Sequence, residues 1–242
     1  IFNIGKSKAR LFDQNTEVKV SFKDVAGLVG AKEEVQEIVD FLKNPKKYTV
    51  LGGKIPKGAL LVGAPGTGKT TVAQMMGKLY LKMGLLSKGH VHEVDRVDLV
   101  GEYIGQTAPK VKEAIEKARG GVLFIDEAYS LARSNDDSKD FGREVIEILV
   151  REMSNGKGDM AVIVAGYPKE MKHFMDSNPG LKSRFKMNFE FTDYLPQELS
   201  QIAEFASLEK GIKFTQEAKV KIDELITNAF RNRDKTFGNA RF

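Results

Sequence analysis

Three glycines, a lysine and a threonine at the spacing GxxxxGK[ST] occupy residues 63–70, Gly63-Ala64-Pro65-Gly66-Thr67-Gly68-Lys69-Thr70, and commit this segment to one kind of chemistry. Glycines let a backbone wrap a phosphate chain with its N–H groups turned inward, where a Cβ would obstruct the approach. Lys69 offers positive charge to the β- and γ-phosphates, and the Thr70 hydroxyl is placed to ligate Mg²⁺. The segment predicts binding of a nucleoside triphosphate, with Gly63, Pro65, Gly66, Thr67, Gly68, Lys69, Thr70 and Thr71 against it. A glycine-rich turn that merely connects two elements would not need the Lys-Thr ending.

A second pair says what is done with the nucleotide. The apolar run Val122-Leu123-Phe124-Ile125 suits a central parallel strand and delivers Asp126-Glu127 to that strand's C-terminal edge, where ligands of open α/β sheets collect. Asp126 is expected to hold the Mg²⁺ shell. Glu127 is expected to orient and partly deprotonate a water attacking the γ-phosphate, a general-base role worth ~10²–10⁴-fold. The competing reading has Asp-Glu capping a helix that begins near Ala128.

These groups need elements to position them. Ala59–Val62 reads as a short buried strand and Thr70–Leu81 as the helix that follows it, so strand, loop and helix come in the required order. Further strands are predicted at Val91–Val94, at 122–126, at Met160–Ala165 and near Met187–Phe191. Helices are predicted at Ala31–Leu42, Ala108–Ala118, Phe141–Met153 and after Pro168. Five strands separated by helices imply an α/β fold, a P-loop NTPase three-layer αβα arrangement around a five-stranded parallel sheet. From Pro196 onward the pattern is helical alone, with Leu199, Ile202 and Phe205 in one helix and Val220, Ile222 and Leu225 in another. The expected organisation is an arm over 1–20, a nucleotide-binding domain over 21–191 and a small helical lid over 192–242.

Composition bounds the alternatives. At 242 residues and 41% hydrophobic content the chain can bury a sizeable core. No apolar run approaches the ~18 residues needed to span a bilayer and no signal peptide is visible, so no membrane role is expected. The absence of cysteine excludes disulfides, thiol catalysis and Cys-ligated metal, and fits a reducing, cytoplasmic setting. The first residue is Ile1, which suggests a fragment or processed chain. The net charge of +5 is mostly an N-terminal feature: residues 1–60 carry eleven Lys/Arg against seven Asp/Glu. Without an aromatic RNA-binding pattern or zinc-finger spacing, this charge reads as a solvated face and no nucleic-acid partner is expected. His90 and His92 alternate on a strand-like segment and could in principle share a metal, but the H-E-x-x-H of a zinc protease is missing.

The chain resembles the AAA+ ATPases over nearly its whole length. The words FKDVAG, AKEEVQEIVDFLKNP and LGGKIPKGALLVG, up to about residue 65, resemble the ATPase module of the FtsH group. From about Thr71 onward, GEYIGQT, GGVLFIDEAYSL, VIVAGYP, SNPGLKSRF and FGNAR are similar instead to the group of the sporulation K and red-type rubisco activase (CbbX) proteins. This division suggests a chimera joined at the shared phosphate loop.

The resemblance implies further roles. Val25 and Ala26 in DVAG would lie against the adenine. Arg184 in SRF matches the arginine finger that acts on a neighbouring subunit's γ-phosphate, with Lys182 the weaker candidate because it lacks the planar fork. Arg241 in GNAR matches a lid arginine that contacts nucleotide; the family's lid continues further, so the lid looks truncated and Arg241 frayed. Tyr103-Ile104-Gly105 matches the loop with which such rings grip a threaded polypeptide, a buried Tyr beside a turn being the alternative. FtsH-type domains place an Asn after the fourth strand where this chain has Gly166-Tyr167, so the group that senses the γ-phosphate is left open. The function expected is hydrolysis of ATP to ADP and phosphate, coupled in a hexameric ring to remodelling of polypeptide. The rivals are a nucleotide-binding scaffold that does not hydrolyse and a DNA-dependent ATPase.

Overall fold

The computed structural model describes residues 58–132, 141–156, 158–234 and 237–241. The expected arm, the Ala31–Leu42 helix, Val25 and Ala26 lie outside these residues.

Five parallel strands, β1 (Gly58–Gly63), β2 (Val91–Val94), β3 (Val122–Ile125), β4 (Ala161–Gly166) and β5 (Phe185–Phe191), form one sheet in the order β2-β3-β4-β1-β5. Their sequences explain the order. β1, β3 and β4 are apolar or glycine at every position and buried along their whole length, as strands covered on both faces must be. β2 and β5 carry His92, Glu93, Lys186 and Glu190 and are open to solvent over part of their length, β5 at alternate positions, so they take the edges.

The helices are α1 (Lys69–Lys82), α2 (Arg96–Leu99), α3 (Thr107–Ala118), α4 (Gly142–Asn155), α5 (Pro168–Asp176), α6 (Pro179–Arg184), α7 (Pro196–Glu209) and α8 (Gln216–Arg231). Alternation along β1 divides the core. Ala59 and Leu61 join Val72, Ala73, Met76 and Tyr80 of α1 on one face, while Leu60 and Val62 join Val111, Val145, Leu149 and Phe174 from α3, α4 and α5 on the other. Three layers result, as the sequence predicts. The lid enters the first of these clusters: Leu199 of α7, Ile226 of α8 and Phe237 are buried with Phe189 and Phe191 of β5.

Three elements differ from the sequence reading. The helix expected near Ala128 is a five-residue 3-10 turn, Ala128–Ala132, whose Ala128 and Leu131 are fully buried. α2 is short but closed at its start by Asp95, which accepts from Val97 N and Asp98 N while Asp98 accepts from Asp95 N. α6 is started by Asn178, whose Oδ1 accepts from Gly180 N at 2.8 Å, with Pro179 at the first helical position. No helix among the described residues is long and apolar enough to cross a membrane.

Candidate functional site

β1 ends at Gly63, and the chain turns through residues 64–68 into α1. Gly68, the residue before α1, takes φ 86° and offers no side chain to the helix; the first turn holds no acidic residue. The first-turn N–H groups and the positive end of a 14-residue helix are therefore left open at the C-terminal edge of the sheet, which is the construction of an anion site. Gly66 has φ 70°, and a Cβ there would collide with Gly238 O, so backbone conformation and close approach of the lid both require glycine.

Lys69 Nζ donates to Gly63 O at 3.0 Å and to Ala64 O at 2.7 Å. Burial pulls its pKa down, Asp126 and Glu127 oppose that shift, and Arg241 adds to it. A cation partly stripped of water and facing a second cation favours an anionic ligand. Thr67 is fully buried, and its hydroxyl donates to Ala64 O at 2.7 Å, bracing the loop, which leaves its backbone N–H as the group it could offer a phosphate.

Asp126 and Glu127 leave β3 where expected. Asp126 is half-buried; its N–H donates to Val94 O at 3.1 Å and its Oδ1 accepts from Glu127 N at 2.9 Å. Glu127 is exposed and takes φ 47°, a left-handed conformation that costs a non-glycine residue about 1–2 kcal/mol. No α-helix follows for the pair to cap.

These groups meet in one cleft of about 320 Å³. Gly63, Pro65, Gly66, Gly68, Lys69, Thr70 and Thr71 form one wall, and Asp126 and Glu127 face them. Gly166 and Tyr167, from the end of β4, line the same cleft; the Tyr167 ring leans on Tyr129 with centroids 6.0 Å apart. Ala240 and Arg241 close it from the lid side. Arg241 is not frayed: it belongs to a 3-10 turn, Asn239–Arg241, in which Arg241 N donates to Gly238 O at 2.9 Å and Ala240 N to Gly66 O at 3.2 Å. Glycines whose Cβ positions are already filled, an uncapped helix start, a half-buried lysine, and a hydroxyl and a carboxylate lining one cleft together fit a Mg²⁺–nucleotide.

Arg184 lies elsewhere. It ends α6, and its carbonyl sits against Gly58 at the start of β1, roughly 16 Å of strand away from the phosphate loop. Its guanidinium donates to Ser154 Oγ, to Gly180 O at 3.0 Å and to Ser183 Oγ at 2.7 Å, and it pairs with no carboxylate among the described residues. Lys182, by contrast, is paired with Asp176 at 2.6 Å. Tyr103 and Ile104 stand on the loop between α2 and α3, 67% and 84% exposed, so the buried-tyrosine alternative is excluded. The His90 ring is engaged by Lys117 O at 2.7 Å, and no group of three or more metal-ligating side chains occurs among the described residues.

The sequence reading missed Tyr194 and Asn239. A signal for the second was present, since Asn after Gly tolerates the left-handed backbone that Asn239 adopts at φ 50°.

A phosphate loop at the switch of a parallel sheet, facing an Asp-Glu pair and closed by a helical lid, defines the class of P-loop nucleotide-binding domains. The chain belongs to the ATPase family associated with various cellular activities (AAA): that family's model matches residues 59–193, and the AAA lid domain matches 195–242. It is 45% identical over 227 residues to stage V sporulation protein K of Bacillus subtilis (strain 168), covering 91% of this chain and 70% of that protein. It is 43% identical to protein CfxQ of Xanthobacter flavus over 89% of this chain and 68% of the relative. Protein CbbX of Cereibacter sphaeroides is 42% identical over 90% and 71%. The two-parent reading finds no support here, because a match reaching 91% of the chain runs through most of the front segment assigned to a second parent.

Proposed function

We propose that this chain binds ATP with Mg²⁺ and hydrolyses it to ADP and phosphate as one subunit of a ring that works on polypeptide. The observation that carries the reading is the convergence of Lys69, Thr70, Asp126, Glu127 and Arg241 on one cleft from three separate segments. Thr70 and Asp126 would hold Mg²⁺, which when bound neutralises phosphate charge. The open amides of the loop and of the α1 start bind the phosphate chain, and Lys69 adds charge at its β–γ end. Glu127 takes a proton from the attacking water, and Arg241 reaches the nucleotide from the lid.

Arg184 is too far along β1 to serve its own subunit's cleft, while its guanidinium is held ready and lacks a carboxylate partner among the described residues. That supports action on a neighbour's nucleotide. An open recess of about 550 Å³ shares Asp126 and Glu127 with the cleft and is lined further by Glu93, Asp95 and Asp98 against one cation, Arg96, so a cationic group could approach Glu127 through it. The same distance favours one alternative: a subunit that stays alone binds nucleotide and turns it over negligibly. Mg²⁺-dependent ATP hydrolysis per subunit across a wide concentration range separates the two. A rise with concentration is expected, and flat, negligible turnover beside tight ATP binding would leave the scaffold reading.

The exposed pair Tyr103 and Ile104 supports polypeptide as the substrate, since an aromatic ring on a loop grips many sequences with little entropic cost. Tyr103→Ala is expected to remove the stimulation of ATP turnover by an unfolded polypeptide. Equal loss of stimulated and unstimulated turnover would count against it.

A further inference from the structure

Every carbonyl from Gly63 to Thr67 accepts a hydrogen bond, but from two different sources. Gly63 O and Ala64 O are held from within the loop and helix, by Lys69 and by the Thr67 hydroxyl. The next three are held from outside. Asn239 Nδ2 donates to Pro65 O at 3.2 Å, Ala240 N to Gly66 O at 3.2 Å, and the Tyr194 hydroxyl to Thr67 O at 3.2 Å. Tyr194 belongs to the connector between β5 and α7, and Asn239 and Ala240 to the lid's last turn.

The planar trans peptide makes this consequential. A carbonyl and the following N–H point in opposite directions within their shared plane, so anchoring the carbonyls of 65, 66 and 67 outward turns the amides of 66, 67 and 68 the other way. These are the amides an anion would meet. Asn239 is the centre of the arrangement. It is 1% exposed, its Oδ1 accepts from Tyr194 N at 2.9 Å, and its Nδ2 also donates to Asp193 Oδ1 at 2.9 Å. A left-handed backbone at φ 50° brings it there. Tyr194 is 4% exposed, and burial keeps its hydroxyl protonated as a donor.

We propose that Asn239 and Tyr194 are positioning residues that preorganise the phosphate loop from the lid side, so that affinity for the nucleotide's phosphates depends on the seating of the lid. The inference rests on the nucleotide reading given above. Neither side chain need touch the nucleotide; each acts through the loop carbonyls.

Two variants separate positioning from folding. Asn239→Gly removes all three side-chain bonds while suiting the left-handed backbone, and Tyr194→Phe removes only the bond to Thr67 O. In the intact chain, ADP affinity measured by calorimetry should fall roughly 10–100-fold for Asn239→Gly and about fivefold for Tyr194→Phe. In steady state the KM for ATP should rise by more than kcat falls, since the bonds set binding and not chemistry. ADP affinity within twofold of the unmodified chain in both variants would overturn the proposal, as would kcat losses as large as the losses in affinity. An unmodified chain that binds no ADP would overturn both this proposal and the nucleotide reading beneath it.

Discussion

Replacing Arg184 by alanine is expected to slow ATP turnover by ~10³–10⁵-fold while leaving ATP binding by each subunit intact. The separation of effects follows from position. Arg184 sits at the N-terminal end of β1, and the cleft at the C-terminal end, so removing the guanidinium disturbs nothing that lines the subunit's own site. The side chain's local bonds, to Ser154, Gly180 and Ser183, are at the surface, and their loss should lower the melting temperature little. A trans role also makes a prediction that no cis role shares. Mixing Arg184→Ala subunits with Glu127→Gln subunits should restore activity, because some neighbours then pair an intact Glu127 with an intact Arg184. Mixtures as inactive as their parents, measured at concentrations where the unmodified chain is active, would remove Arg184 from the reaction.

Glu127→Gln is expected to cost ~10²–10⁴-fold in hydrolysis with ATP binding retained. Glutamine keeps the length and one acceptor oxygen but cannot take a proton, so the change isolates the basicity. It should also be tolerated by the fold, since Glu127 is exposed and its side chain supports no packing; the left-handed backbone is strained equally by either residue. Single-turnover hydrolysis beside equilibrium ATP binding reads the two parts separately. Hydrolysis at the unmodified rate would reassign the base, with Asp126 the nearest remaining carboxylate.

The fold was legible where pattern and chemistry agree. The all-apolar runs of β1, β3 and β4 mark central strands, and the GKT ending of the loop announces α1. What escaped were features set by tertiary contact. The acid pair at 126–127 resembles a helix start, yet the buried Ala128 and Leu131 hold the chain in a 3-10 turn against the core. Thr67 belongs by spacing to the phosphate-facing loop, but full burial turns its hydroxyl onto Ala64 O. Tyr194 and Asn239 lie 127 and 174 positions from the loop residues they anchor, a separation at which no local signal operates. Arg241 was expected to fray because it stands near the end of the chain; the hydrogen bonds of Asn239 and Ala240 to the loop hold its turn in place.

The sharing of one apolar cluster by the lid and the sheet has a mechanical consequence. Swinging the lid outward as a free door would bring Leu199, Ile226 and Phe237 into water together with the β5 side chains they cover. Each such side chain costs about 1.5–3 kcal/mol to expose, a sum comparable with the whole stability of a typical domain. A lid movement that avoids this cost is a sliding one, a shear in which the oily joint stays closed. The same joint makes the lid part of one cooperative folding unit: severed near residue 195, the sheet would present a bare hydrophobic face and be prone to aggregate.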